Sequence, residues 1–338
     1  MDFSYIQMSP AENAPVPVYQ WGIGVITLIQ ELKSPAFTAV MKFITELGTG
    51  NFYLAAILII FWLADEKRGL RLGILIIVSA WINVFLKDFL KHPRPFNLEP
   101  SLGLAYESTY GAPSGHAQMS VCFWIPMAVW FDQIWEGRKR FPVFALAVLF
   151  ILLIGFTRLY LGLHFPTDLF AGWFLGGVIL AFFFLAGPVL AKYLATGGSR
   201  FQNIAAAVTA LLMNGIYPEG GILPAILLGF CIGYSVMRKK IPFLARGEIR
   251  GKKPSAPVLA ARCLVGFSGL AVIYTGLRLI LPGEGSLFGG FPVWGEFSPF
   301  YDLGRFIRYA IIGLWVSAGA PMVFQRVGLA STGDGGGS

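Results

Sequence analysis

Charge is scarce in this sequence: Asp, Glu, Lys and Arg make up 13% of 338 residues, against 56% hydrophobic side chains. A soluble domain carries about 25% charged residues, so the shortage excludes a water-soluble globular enzyme and places most of the chain in lipid. Histidine is rarer still, with His92, His116 and His164 the three in the chain. Cysteine is as sparse. Cys122, Cys231 and Cys263 all lie in apolar runs, which reads as small buried hydrophobes and excludes a disulfide or zinc framework. The first twenty residues lack the basic segment that precedes the apolar core of a signal peptide, so no cleavable leader is expected. The net charge of +8 is not gathered on a soluble module and no nucleic-acid motif accompanies it, which excludes DNA or RNA as partner.

What is present is a series of about nine apolar runs approaching the ~20 residues that cross a hydrocarbon core. They are centred near Ala56, Val78, Pro126, Leu149, Gly176, Thr209, Leu228, Ile273 and Gly313. The expected fold is all-α, a polytopic transmembrane helical bundle. If the spans alternate, the basic connections 64–69, 136–140 and 238–253 share one face with Lys192 and Arg200. By the positive-inside rule that face is cytoplasmic. The connections 91–115, 158–166 and 282–303 then lie outside. Residues 16–47 are apolar but broken by Glu31, Lys33 and Pro35, which predicts two amphipathic helices on the outer membrane surface; a tenth span is the alternative. The expected division is 1–50 interfacial, 51–190 a core carrying the motifs, 191–328 additional spans, and 329–338 a flexible Gly-rich tail. Gly172/Gly176 and Gly229/Gly233 have the spacing of close helix contacts.

Three segments on the outer face hold ionisable residues that lipid contact does not explain: Lys87 to Pro95, Pro113-Ser114-Gly115-His116, and Thr157-Arg158 to His164 and Asp168. A cation deep in the bilayer costs about 2.5–3.5 kcal/mol. Any one of Lys87, Arg94 and Arg158 taken alone reads as an interface snorkeller. Three of them beside two of the chain's histidines call for a shared anion, and a phosphoryl group suits Arg forks with a Lys point charge. Pro113 to His116 opens the third apolar run, so its backbone N–H groups can face an anion at a helix N-terminus; alone it would be an ordinary Ser-Gly cap. Asp168 lies four residues after His164, on the same helix face, where it can hold the imidazole and leave the other ring nitrogen as a nucleophile. A metal site from His116, His164 and Asp168 is the weaker alternative, because three nearby cations would repel a divalent ion.

In order and spacing these residues resemble the type 2 phosphatidic acid phosphatases, which share their active site with bacterial acid phosphatases and vanadium haloperoxidases. The family signature reads K-x6-RP, PSGH and SR-x5-H-x3-D; here the parts are Lys87 to Pro95, Pro113 to His116, and Arg158 to Asp168, with Thr157 in place of serine. The resemblance implies that Lys87, Arg94, Ser114, Gly115 and Arg158 bind phosphate. It implies that His164 attacks phosphorus to form a phosphohistidine, that His116 serves the leaving oxygen and then water, and that Asp168 orients His164. It implies a hydrolase without metal or organic cofactor.

The expected substrate is a lipid phosphate or pyrophosphate at the extracytoplasmic face of a bacterial inner membrane. Membrane lipids are the other expected partners, and a homo-oligomer is compatible with the sequence. The nine-span plan is similar to that of the glucose-6-phosphatases, which makes a soluble sugar phosphate the rival, with Glu99, Tyr106, Glu107 and Tyr110 as candidate contacts. A transporter or phosphate-binding protein is the reading from another class. Lys91 and His92 sit at open positions of the first motif, read as a solvated interfacial pair or as contacts to a headgroup.

Overall fold

A computed structural model describes residues 16–331 except 250, 284, 292 and 296. The residues before 16 and the tail from 332 onward, including most of the expected flexible segment, lie outside the described residues.

Among the described residues the chain is helical, with no strand beyond an isolated bridge between Ile249 and Lys252. The helices are α1 (Val16–Gln30), α2 (Pro35–Thr45), α3 (Gly50–Ile59), α4 (Glu66–Leu90), α5 (Pro95–Leu98), α6 (Gly115–Ile134), α7 (Arg140–Tyr160) and α8 (Pro166–Leu185). After them come α9 (Gly187–Thr196), α10 (Gly198–Ile216), α11 (Ile222–Lys240), α12 (Ala256–Ile280), α13 (Tyr301–Leu314) and α14 (Ala320–Arg326). Several ends follow from local chemistry. Ser34 caps α2 by accepting from Phe37 N–H, with Pro35 in the first turn. Ser114 caps α6 through Ala117 N–H, and Pro166 begins α8.

Each of the nine expected centres falls inside a helix, but among the described residues six helical stretches are long and apolar enough to cross a membrane. They are Glu66–Leu98, Arg140–Tyr160, Pro166–Leu185, Ile222–Lys240, Ala256–Ile280 and Tyr301–Arg326. The bent pair Pro35–Gly48 and Gly50–Ala64 qualifies jointly as a seventh. Helices α6 and α10 have sufficient length, but His116, Gln118, Ser120 and Asp132 dilute the first, and Arg200, Gln202, Asn203 and Asn214 the second. Residues 16–47 form two helices, α1 and α2, separated at residues 31–34, but α2 is also part of the bent pair that qualifies as a span, so the expected placement of both on the membrane surface is not shown.

The chain packs as two units. The first comprises residues 1–53 and 82–183, the second 54–81 and 184–338, so α4 supplies its early turns to one and its late turns to the other. In the first unit, α6 rests closely on α8 because Gly172 and Gly176 lie against the backbone carbonyls of Ser114 and Gln118, where a Cβ would come within 2.5 and 2.7 Å. Helices α1 and α2 pack over the connection after α7: Ile26 is buried with Leu102 and Phe165, and Met41 with Tyr160, Leu161 and Leu163. Gln30 ties α1 down by donating to the carbonyls of Leu102 at 2.9 Å and Tyr160 at 2.8 Å. Gly162, at φ +68°, makes the turn there against the Leu102 carbonyl, a position no side chain can share.

In the second unit, Gly229 and Gly233 of α11 meet the Ala310 carbonyl and Ser317 Oγ, so this glycine pair also marks a close helix contact. Its core gathers Phe61, Trp62, Phe230, Phe243 and Phe324. Fully buried Arg262 donates to the carbonyls of Trp62 at 3.0 Å, Ala245 at 2.6 Å and Leu329 at 2.9 Å, which offsets the cost of a cation in an apolar interior. Outward side chains such as Phe174, Phe182, Leu264 and Val272 remain exposed, as lipid-facing residues should.

Candidate active site

All three motif segments belong to the first unit, and they converge where α6 begins. Ser114 N–H donates to the Asp168 carbonyl at 3.0 Å, which fastens the head of α6 to the first turn of α8. From α4, Asn83 donates to the Pro113 carbonyl at 3.2 Å and to Gln118 Oε1 at 2.8 Å. Gly115 accommodates this approach, since a Cβ there would stand 2.9 Å from Asn83 Oδ1. The result is a buried helix N-terminus whose free N–H groups are held in place, the arrangement that suits an anion.

The cations are buried beside it. Lys87, 6% exposed, donates to the carbonyls of Tyr110 and Gly111. Arg94, 1% exposed, spreads its guanidinium over the carbonyls of Thr109 at 2.6 Å and Leu163 at 2.8 Å, and reaches His164 Nε2 at 3.3 Å. Arg158, 2% exposed, donates to Thr45 Oγ1 at 2.8 Å. Both guanidinium groups grip one carboxylate: Glu107 accepts from Arg94 at 2.7 Å through Oε2 and from Arg158 through Oε1. Although partial burial works against ionisation, Arg158 and Arg94 hold the Glu107 carboxyl down at about 2.

His164 lies between α7 and α8, 1% exposed. Burial, and then the positive charge of Arg94, hold its imidazole well below its ordinary value, so the ring is neutral. Its Nδ1 is 3.4 Å from Asp168 Oδ2, and that oxygen also accepts from Phe165 N–H at 2.9 Å. With Nδ1 toward the carboxylate and Nε2 toward Arg94, the unprotonated nitrogen faces the cationic cradle. His116 Nε2 is buried without a hydrogen-bond partner, and a Cβ on Gly48 would stand 2.7 Å from the ring, so the His116 imidazole has a backstop only glycine permits.

Some placements depart from the sequence expectations. Glu107, a candidate for recognising a sugar, is instead clasped by the two arginines. Glu99 accepts from Ser101 at 2.7 Å, and exposed Tyr106 packs on Phe96. Tyr110 contributes its carbonyl. The Thr157 hydroxyl donates to the Ile154 carbonyl at 2.6 Å, turned into its own helix. Lys91 and His92 do not form a solvated pair: Lys91 is exposed, while His92 Nδ1 turns inward to 3.2 Å from Asp168 Oδ1. Thr45 and Thr109 are site residues that sequence reading did not assign, and their scattered spacings gave no signal; Glu107 was named there for a sugar and not for the arginines. Among the described residues no group of three His, Cys, Asp or Glu side chains is gathered as a metal ion would require.

The helices define an integral, multi-pass membrane protein with buried cations gathered at the ends of its helices. The chain belongs to the PAP2 superfamily: residues 68–190 match the PAP2 superfamily and residues 221–332 the PAP2 superfamily phosphatase, transmembrane extension. It is 31% identical over 152 residues to phosphatidylglycerophosphatase B of Bacillus subtilis, covering 43% of this chain and 72% of that protein. It is 30% identical to mouse sphingosine-1-phosphate phosphatase 1 over 40% of this chain and 32% of that one. It is 27% identical to the undecaprenyl-diphosphatase of Sulfolobus acidocaldarius over 47% of this chain and 75% of that one. The chain thus spans about a third of the length of the mouse relative.

Proposed function

We propose that this protein hydrolyses a lipid phosphate or diphosphate at the extracytoplasmic membrane face through a phosphoenzyme on His164. The observation that carries the reading is the meeting of Arg94, Arg158 and the neutral His164 around one anion position, which the Glu107 carboxylate occupies.

The incoming phosphate takes the guanidinium forks, with Lys87 and the α6 N-terminus supplying further positive potential. His164 Nε2 attacks phosphorus as the P–O bond to the lipid breaks, and His116 gives the departing oxygen its proton. His116 then takes a proton from water, the hydroxide displaces His164, and inorganic phosphate leaves. Ser114 and Gly115 hold phosphate oxygens through their position at the helix start. Side-chain cations fill the role that magnesium plays in other phosphoryl transfers, so the activity is expected to survive EDTA.

A lipid is favoured over a sugar because the two loop carboxylates a sugar would need are engaged elsewhere: Glu107 by the arginines and Glu99 by Ser101. The names of the relatives, which point to phosphatidylglycerophosphate, sphingosine 1-phosphate and undecaprenyl diphosphate, support the same choice. Exposed Trp21, Leu28 and Phe43 on α1 and α2 offer apolar surface to the membrane near the site. A tail left in the bilayer supplies binding energy without a deep pocket.

The test is phosphate release by the purified protein in mixed micelles containing EDTA. Specificity, kcat/KM, should fall steeply as lipid tails shorten, with hexose phosphates poor. A preference for glucose 6-phosphate over every long-chain lipid phosphate would overturn the substrate class.

The orientation follows from the uneven spread of Lys and Arg, with α6 and α10 crossing as well to complete about nine spans. In a background lacking the native cysteines, Ser286→Cys should react with an impermeant maleimide from outside and Glu248→Cys only after the cytoplasm is opened. The reverse labelling would put the site in the cytoplasm.

A further inference from the structure

The buried carboxylate of Asp168 has two oxygens, and the orienting of His164 proposed above uses one. Oδ2 accepts from Phe165 N–H at 2.9 Å and lies 3.4 Å from His164 Nδ1. Oδ1 is buried and carries no aligned hydrogen bond, yet a carboxylate oxygen without a donor in such a place is costly. His92 Nδ1 stands 3.2 Å from it and, like His164 Nδ1, is buried with no aligned hydrogen bond, so both rings stand close to the carboxylate and a small turn of either would complete the bond. Across the same ring, His92 Nε2 is 3.1 Å from the Tyr19 hydroxyl. Tyr19 in turn packs on Phe165, the residue between His164 and the start of α8, with ring centroids 5.1 Å apart.

We propose that Tyr19 and His92 are positioning residues that hold Asp168 from the side opposite His164. The hydrogen bonds can run in one sense. The phenol donates to His92 Nε2, which leaves the ring proton on Nδ1; that proton is donated to Asp168 Oδ1. The carboxylate, fixed at Oδ1 by His92 and at Oδ2 by Phe165 N–H, keeps Oδ2 on His164 Nδ1–H. That fixes the tautomer in which His164 Nε2 is free to attack. The first-turn carboxylate is the polar link between the two histidines, and the His92 ring also packs edge-on against Phe165 with centroids 6.1 Å apart, so His92 acts on His164 through Asp168 and the residue beside it and not through the substrate. Helix α1 thereby takes part in the reaction: Ile26, Tyr19 and Gln30 dock it on the same connection that carries His164. Outer partners of metal-bound histidines are worth roughly 10–100-fold, and a loss at the lower end of that range is expected where such a partner orients a nucleophilic histidine.

The inference rests on His164 as the nucleophile, so the experiment reads the phosphoenzyme directly. The full-length protein in mixed micelles is mixed with 32P-labelled phosphatidic acid and quenched in base, which preserves phosphohistidine. His92→Phe should form phosphoenzyme roughly 10-fold more slowly, with KM changed less than about 2-fold, because substrate contacts are intact. His92→Asn, which keeps a donor where Nδ1–H stood, should recover most of the rate. Tyr19→Phe should slow the step about 3-fold in the wild type and add nothing in His92→Phe, since it acts through that ring. A wild-type rate in His92→Phe, a loss that His92→Asn does not repair, or additive effects of the two substitutions would overturn the inference. An active His164→Ala, or wild type without phosphohistidine, would overturn the nucleophile assignment and this inference with it. If His92→Phe fails to fold, His92→Asn against Tyr19→Phe still decides the coupling.

Discussion

His164→Ala should lose phosphoenzyme entirely and reduce kcat by roughly 10^4-fold or more, because His164 is the imidazole whose Nε2 faces Arg94 while its Nδ1 side faces the Asp168 carboxylate. His116→Ala should behave differently. It should cost about 10^2–10^4-fold with lipid alkoxide leaving groups and far less with p-nitrophenyl phosphate, whose departing oxygen needs little help from an acid. The buried His164 imidazole titrates well below 6.5. As pH falls through 6.5 the nucleophile therefore stays unprotonated, and an acid limb of kcat/KM beginning near 6.5 should not disappear or shift on account of His164. Rapid-quench trapping across pH checks both statements. Phosphate trapped on another residue in an active His164→Ala enzyme would end the assignment.

The second large effect concerns the two guanidinium groups. Arg158→Lys and Arg94→Lys keep the charge but lose the fork, and each should lower kcat/KM by roughly 10^2–10^3-fold, with weaker inhibition by vanadate. Glu107 makes the opposite expectation for its own replacement. With its carboxyl held at about 2, it is ionised at every working pH and competes for the forks that phosphate must take. Glu107→Gln should therefore tighten inhibition by inorganic phosphate about 10-fold. Weaker inhibition instead would mean that Glu107 arranges the arginines rather than competing with the substrate. Salt should blunt neither effect strongly, because the groups are sheltered from bulk screening.

Much of this was legible in the chain itself. The apolar runs gave helices at all nine expected centres, since helix formation in lipid leaves the backbone no other way to satisfy its N–H and C=O groups. The two glycine pairs marked real contacts because a missing Cβ is a local property that spacing preserves. Ser114 as a cap and His164 with Asp168 one turn apart likewise follow from separations of a few residues. The number of spans was less secure. Helices α6 and α10 carry enough polar side chains to be less apolar than the other spans, and those on α6 are polar because Gln118 and Ser120 are buried within the protein, not in lipid.

What sequence alone determined, then, is the helical membrane architecture, the family, and which cations and histidines stand in what order along the chain. Only the tertiary structure decided which groups share a charge. Glu107 is 13 residues from Arg94 and 51 from Arg158, and Tyr19 is 73 from His92. No periodicity links such pairs, because the contacts depend on where loops close across helix ends. Burial then acts on them through space: in a site of low dielectric a carboxylate seeks the nearest cation and an orphaned oxygen the nearest N–H, whatever their distance in sequence.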